Sequence, residues 1–244
     1  PIYVGSGEKI KKNAYIYAPR NHRVVIPDIE KMYTALRKKG LEREFTSYLM
    51  SSGDRGPSLA QWLGSHGISE KEWREWKRYE MDAGEAFLQL GPRKKSSDID
   101  GFCRDGYGMP YVPGSSIKGM LRTALLASEI ENNPEKYKRI ALEISEKSQE
   151  RAKRIPDRAC LMKETQKLEQ QAFYTLGREQ RLNSAVNDHM AGLLVGDSEP
   201  IDLEQLTLSQ KIDVTLKGEE KPLPILRETL KPGTEIRFSL TIDR

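Results

Sequence analysis

From Leu206 onward the sequence alternates. Leu206, Leu208, Ile212, Val214 and Leu216 fall on even positions with polar residues between them, and Ile236, Phe238, Leu240 and Ile242 repeat the pattern. A two-residue period sends successive side chains to opposite faces of a strand, so these segments need a sheet with one covered and one wet face. Lys217-Gly-Glu-Glu-Lys221 and Lys231-Pro-Gly-Thr234 read as turns, Leu223 to Leu230 as a returning strand, and Gly192–Ser198 as a short buried strand. Together they predict a strand meander over 192–242. Near the other end, Tyr15, Tyr17, Val24 and Ile26 are strand candidates around an Ala18–Asn21 turn.

Helical patterns fill the middle, as insertions over about 28–90 and 129–190. Pro27-Asp28 opens a helix with Ile29, Met32, Tyr33 and Leu36 on one face and Gly40 at its end. Leu41, Phe45, Tyr48 and Leu49 suggest the next, and Ser58 to Leu63 a short piece; Ser52–Pro57 reads as a turn. Ser69 to Met81 reads as one helix opened by a Ser69/Glu72 capping box. On it Trp73 and Trp76 sit three apart, a spacing that favours core packing over base stacking. Tyr137, Ile140, Ala141 and Ile144 mark a helix broken by Pro156, and Leu161, Leu168, Ala172, Phe173 and Leu176 another, ended by Gly177. Strands at both ends with helices between predict an α+β fold with an antiparallel sheet assembled from distant segments.

The chemistry centres on Tyr111-Val-Pro-Gly-Ser-Ser-Ile-Lys-Gly-Met-Leu-Arg-Thr-Ala-Leu125. It reads as a strand end, a glycine loop at Gly114, and a helix capped by Ser115 or Ser116. Ile117, Met120, Leu121, Ala124 and Leu125 form its apolar face, while Lys118 and Arg122, four apart, share a neighbouring face beside Gly119. First-turn N–H groups, the positive helix end, two hydroxyls and two cations describe an anion site, for which phosphate is the natural ligand. A capped helix with ordinary surface cations explains the same residues. The stretch is not a Walker A loop: Ile117 precedes Lys118 and Gly119 follows it, where that loop needs glycine and Ser or Thr. A second glycine stretch, Val4-Gly5-Ser6-Gly7-Glu8-Lys9, opens the chain. Ile10 stands where a dinucleotide fingerprint needs its third glycine, and alone Gly5 and Gly7 read as a plain turn. Arg93, Lys94 and Lys95 form a basic break that meets phosphates or stays a solvated loop.

Composition excludes more than it assigns. A formal net charge of +4 is a mild basic bias, compatible with a polyanion. No apolar run approaches the roughly 20 residues that span a bilayer, and the N-terminus turns polar at Gly5, unlike a signal peptide. Cys103 and Cys160 lie far apart without CxxC spacing, so a reducing cytoplasm is the expected location. His22, His66 and His189 show no metal spacing, and Asp28, Asp98, Asp100 and Asp197 are metal ligands only if folding gathers them. No cofactor is expected. The sequence opens on Pro1 without methionine and stops directly after a strand, which suggests a portion of a longer chain.

The Val4–Lys9 and Tyr111–Thr123 motifs, Leu194-Val-Gly-Asp-Ser198 and Arg227-Glu-Thr-Leu-Lys-Pro-Gly-Thr234 resemble the RAMP superfamily of CRISPR RNA-binding proteins over nearly the whole chain. Their order and the long helical insertions are most similar to the Csm-type subunit that ends the backbone of type III-A effector complexes. The resemblance implies one RAMP domain over 1–244 with a ferredoxin-like, RRM-related core whose glycine loops hold RNA backbone. Carried over, Gly5, Ser6, Gly7 and Lys9 match the first motif, and Gly114, Ser115, Ser116, Lys118, Gly119 and Arg122 the second. It also implies a position near the 3′ end of the guide RNA, contact with neighbouring Csm-type subunits, and a part in guide maturation through recruited nucleases. Relatives that cut target RNA carry an aspartate shortly after the first motif; here the stretch reads Lys11-Lys-Asn-Ala-Tyr15, without an acid. The expectation is therefore a non-catalytic RNA-binding subunit. The alternative is a RAMP-fold endoribonuclease acting on the guide precursor through Tyr107, Tyr111 and Lys118.

Overall fold

The computed structural model describes residues 1–51, 56–84, 86, 98–151, 161–181, 184–215 and 217–243. Arg93, Lys94 and Lys95, most of the Ser52–Pro57 turn and the break at Pro156 lie outside these. The chain divides into two compact units, one of residues 1–111 and 199–236 and one of 112–198 and 237–244.

In the first unit, β1 (Gly5–Ile10), β2 (Ile16–Ala18), β3 (Arg23–Pro27), β4 (Lys77–Asp82), β5 (Ile99–Phe102), β7 (Leu206–Val214) and β8 (Glu220–Leu230) form one sheet. Its order is β1-β5-β8-β7-β4-β3-β2. Hairpin neighbours such as β2–β3 and β7–β8 are antiparallel, but β4 pairs with β7 and β5 with β8 in parallel. The sheet is thus mixed rather than antiparallel throughout. Both parallel joins link strands separated by long connections, and parallel pairing needs such crossovers.

Against the sheet lie α1 (Ile29–Lys38), α2 (Glu42–Ser51), α3 (Leu59–Ser65) and α4 (Glu70–Arg74). Their starts follow the sequence: the Asp28 carboxylate accepts the N–H groups of Glu30 and Lys31, and Ser58 and Gln61 cap α3 reciprocally. Met32, Leu36, Phe45, Trp62, Trp73 and Trp76 bury together with Ile16 and Val25 from the sheet, so both spaced tryptophans are core. The helix predicted over 69–81 is two elements, because α4 stops at Arg74 and β4 follows. Trp73 and Trp76 keep helical spacing, but Tyr79 and Met81 are buried two apart, and β3 supplies the ladder that makes this a strand. On β7, Leu206 and Leu208 are buried while Ile212 and Val214 are exposed; a register shift between Gln210 and Ile212 breaks the even-position phase.

In the second unit, α5 (Gly114–Asn132), α6 (Pro134–Arg151) and α7 (Met162–Phe173) accompany a two-stranded sheet of β6 (Leu193–Ser198) and β9 (Phe238–Ile242). Tyr137, Ala172, Phe173 and Met190 form its core cluster, with Leu126, Ile130 and Leu168 packed around them. The sequence predicts a buried strand at Gly192–Ser198; in β6 only Ser198 is buried, and every residue of β9 is exposed. The apolar face predicted for α5 is also mostly open: Ile117 is buried, but Met120 and Leu125 are exposed. No described helix is long and apolar enough to cross a membrane.

Candidate nucleic-acid interface

The first glycine motif is part of a strand, not a plain turn. β1 is the terminal strand of its sheet, and its register on β5 shifts between Gly5 and Lys9. Gly7 sits inside this irregularity with φ +82°, a conformation that favours glycine. A Cβ there would meet nothing within 4 Å, so the backbone at Gly7 is open to a ligand. Ser6 Oγ donates to the Gly101 carbonyl (3.3 Å) and accepts the Glu8 N–H (3.1 Å). Lys9 Nζ lies 3.7 Å from Asp100 but is largely exposed. Gly5, Ser6, Gly7 and Lys9 therefore form one exposed sheet edge.

The second motif is built differently from its sequence expectation. Gly114 is already helical and Pro113 is the N-cap residue, so Ser115 and Ser116 lie in the first turn rather than at the cap. The N-terminal anion is internal: Gly114 N–H donates to Asp197 Oδ1 (2.7 Å), while Ser198 Oγ accepts the Val112 N–H (2.9 Å). The Leu194–Ser198 motif thus docks the helix start. A Cβ on Gly114 would come within 2.2 Å of the Val195 carbonyl oxygen, which explains the glycine.

The two cations of this motif face inward. Lys118 Nζ donates to the Leu193 carbonyl at 2.7 Å. Arg122 pairs with Asp188 at 2.8 Å and Glu169 at 3.2 Å, and its guanidinium lies 4.2 Å from the centre of the Phe173 ring. Burial alone would lower the Arg122 pKa, but hydrogen bonds and charge from Asp188 and Glu169 outweigh it and hold the group above its ordinary value. Ser115, Ser116 and Gly119 remain exposed on the helix. Lys118 lies in the second unit, whereas Tyr107 and Tyr111, its partners in the endoribonuclease alternative, lie in the first.

Sequence reasoning missed a buried cluster beside the first motif. Glu228 on β8 is fully buried and accepts from Tyr79 Oη (2.7 Å), Phe102 N–H (2.9 Å) and Arg104 Nη2, which lies 3.0 Å from each carboxylate oxygen. The Arg104 guanidinium also lies 4.5 Å from the Tyr79 ring centre. Burial, then the Glu228 charge, pushes the Tyr79 hydroxyl far above its usual range, with Arg104 opposing. The signal was available: Glu228 keeps the phase of Leu226 and Leu230 on an alternating strand. The four aspartates considered as metal ligands have separate duties, since Asp28 caps α1, Asp98 accepts the Lys12 N–H, Asp100 pairs with Lys9 and Arg227, and Asp197 docks Gly114. Among the described residues no three His, Cys, Asp or Glu side chains form a metal cluster.

The RAMP superfamily model matches residues 1–244. The chain belongs to the RAMP superfamily. Of its curated relatives, the CRISPR system Cms protein Csm5 of Streptococcus thermophilus is 29% identical, covering 99% of this RAMP chain and 61% of the relative. Csm5 of Mycobacterium tuberculosis is 27% identical, covering 100% of this chain and 64% of the relative. This RAMP chain therefore spans roughly three-fifths of the length of those relatives. Its fold is similar to a crystal structure of T. onnurineus Csm5, with a TM-score of 0.65 at 21% identity, covering 100% of this chain and 66% of the other. It is also similar to a chain in a cryo-EM structure of a Csm-crRNA-target RNA ternary complex of a type III-A CRISPR-Cas system, with a TM-score of 0.60 at 20% identity, covering 100% of this chain and 62% of that one. The expected resemblance to the Csm-type subunit holds.

Proposed function

We propose that this chain acts as a guide RNA-binding structural subunit of a type III-A CRISPR effector complex. In this reading a ferredoxin-like RAMP core lies near the 3′ end of the guide, beside neighbouring Csm-type subunits. It supports guide maturation and antiviral defence through nucleases recruited to the complex, and leaves the chemistry to them. The likeness to Csm5 of S. thermophilus, which runs through 99% of the chain, carries this reading.

The geometry supports a refined division of labour. The open backbone at Gly7 and the Lys9 ammonium offer a close approach and a cation to phosphate on one exposed edge, which Ser6 braces through Gly101 and Glu8. Ser115, Ser116 and Gly119 offer hydroxyls and uncovered backbone on the other motif. Lys118 and Arg122 hold that motif in place from behind, through Leu193, Asp188 and Glu169. Such contacts position an RNA without reading its sequence, and their affinity falls with salt through counterion release. Co-expression with type III-A subunits and a CRISPR array tests the reading. Guide RNA and sibling subunits should co-purify with the tagged chain, and RNA binding by the purified chain should weaken as salt rises. A chain that arrives alone and binds no RNA at physiological salt would overturn it.

A further inference from the structure

Beyond the glycine motifs, one side chain of the first unit is presented to solvent by an unusually well-held turn. Tyr107 is 93% exposed. Its turn is tied by four hydrogen bonds: Asp105 Oδ1 accepts the N–H groups of Tyr107 (2.9 Å) and Met109 (2.8 Å), Asp105 N–H donates to the Met109 carbonyl (2.9 Å), and Gly108 N–H donates to the Asp105 carbonyl (3.0 Å). Gly108 takes φ +83°, which the turn requires. Arg104 Nη1 donates to the Gly108 carbonyl at 3.0 Å, and Arg104 is itself fixed by the buried Glu228 carboxylate. A mobile loop would let the ring fold onto the nearest apolar surface. This turn holds it away from the protein.

The surroundings of the ring point to its ligand. Arg78 on β4 is exposed and forms no ion pair among the described residues, although its neighbours Arg74 and Lys77 both pair with Glu80. Its guanidinium lies beside the turn, since a Cβ on Gly108 would come within 2.8 Å of Arg78 Nη2. Gly106, Gly108 and Arg78 line a cavity of about 480 Å³ together with Ser6 and Lys9 of the first glycine motif. An isolated exposed apolar residue is ordinary. A preorganised aromatic ring, an unpaired guanidinium and a cavity shared with the proposed phosphate edge together fit a single-stranded nucleic acid, which offers a flat base next to a charged phosphate.

We propose that Tyr107 is a stacking platform for one unpaired base of a single-stranded RNA, with Arg78 meeting a flanking phosphate. This rests on the RNA-binding reading above and extends it to a base contact outside both glycine motifs. Because every base has a π-face, the contact tolerates any sequence, and because the turn is already ordered, little entropy is lost on binding.

The test is titration of the full chain with a fluorescein-labelled single-stranded RNA across a salt series, alongside an RNA carrying 2-aminopurine. Tyr107→Ala should weaken binding by about tenfold with the salt slope unchanged, while Tyr107→Trp keeps affinity within about twofold. Arg78→Ala should reduce the slope of log affinity against log salt by about 0.7, the value for one phosphate on a single strand. The wild type should change the 2-aminopurine fluorescence at one or more positions where Tyr107→Ala does not. Wild-type binding matched by Tyr107→Ala overturns the inference alone. A wild type that binds no RNA overturns the functional reading, and the inference with it. Loss of a sibling subunit from Tyr107→Ala with unchanged RNA affinity would make the ring a protein contact and also overturn it.

Discussion

Glu228 places a charge where the strand pattern calls for an apolar side chain, and its surroundings explain how the fold tolerates it. A fully buried carboxylate is stable only when paired and hydrogen-bonded. Here Tyr79, Phe102 and Arg104 supply the donors. Glu228→Gln keeps the shape but leaves Arg104 without its counter-charge, so we expect a loss of about 3–5 kcal/mol in urea denaturation, at the scale of a broken buried pair. Tyr79→Phe removes one hydrogen bond to the same carboxylate and should cost about 1.5–3 kcal/mol. An unchanged denaturation midpoint for Glu228→Gln would sink this account. Arg122 gives a second residue-scale prediction. Arg122→Ala should destabilise the protein while leaving the salt slope of RNA binding unchanged, because its charge is spent on Asp188 and Glu169. A reduced slope would instead make it a phosphate contact. The sequence showed that Lys118 and Arg122 share a helix face. It could not show which way their charge points, because the partners that decide it, Leu193 and Asp188, lie 75 and 66 residues away.

Among the elements, the docking of α5 on β6 is controlled by backbone proximity rather than by side-chain burial. A Cβ on Gly114 would lie 2.2 Å from the Val195 carbonyl oxygen, a backbone atom held in the sheet, whereas one on Gly196 would lie 2.4 Å from the Ser239 hydroxyl, which can rotate. Gly114→Ala should therefore cost about 1–3 kcal/mol as an overpacked contact, and Gly196→Ala distinctly less. Gly119→Ala has open space and helical surroundings, so it should stabilise the chain by about 0.5–1 kcal/mol. Thermal unfolding of the three variants checks the order, and equal losses at Gly114 and Gly119 would refute it. The elements themselves were mostly legible. Asp28, Ser58 and Gly40 mark helix ends locally, and β2, β3, β7 and β8 fall where the sequence places strands. Two things were not. Trp73 and Trp76 continue into Tyr79 and Met81, and that run satisfies a helical period until the pairing with β3 is known. The alternation of Phe238, Leu240 and Ile242 identifies a strand but not its partner, which is β6 in a separate sheet.

Across the whole molecule, 40 Lys and Arg against 36 Asp and Glu leave a small net charge, but that sum conceals how the charges are paired. Among the described residues, four glutamates have carboxyl groups held below the ordinary value, in every case chiefly by a lysine hydrogen bond: Glu72 by Lys39, Glu129 by Lys136, Glu143 by Lys167 and Glu164 by Lys147. For Glu72, with Ser69 adding to Lys39, the value falls to about 2. The last three lie in the helices of the second unit. A carboxyl with a lower pKa in the folded state binds fewer protons there than when unfolded, so protonation favours unfolding. The stability these pairs contribute is fully present above the unfolded glutamate value of about 4.5 and is lost as pH falls through their lowered folded-state values, which for Glu72 is about 2. Melting temperature should therefore be nearly flat through neutral pH and fall steeply below about pH 4.5. A variant with Gln at all four positions should be less stable than the wild type at neutral pH, lose less on acidification, and converge on the wild-type curve as pH falls through the lowered carboxyl values. Added salt should narrow the neutral-pH gap through Glu72, Glu129 and Glu143, which reach solvent, and act less on the buried Glu164. Two melting curves that stay parallel from about pH 6 to about pH 2 would show that these lysine–glutamate pairs do not set the acid limit of the fold.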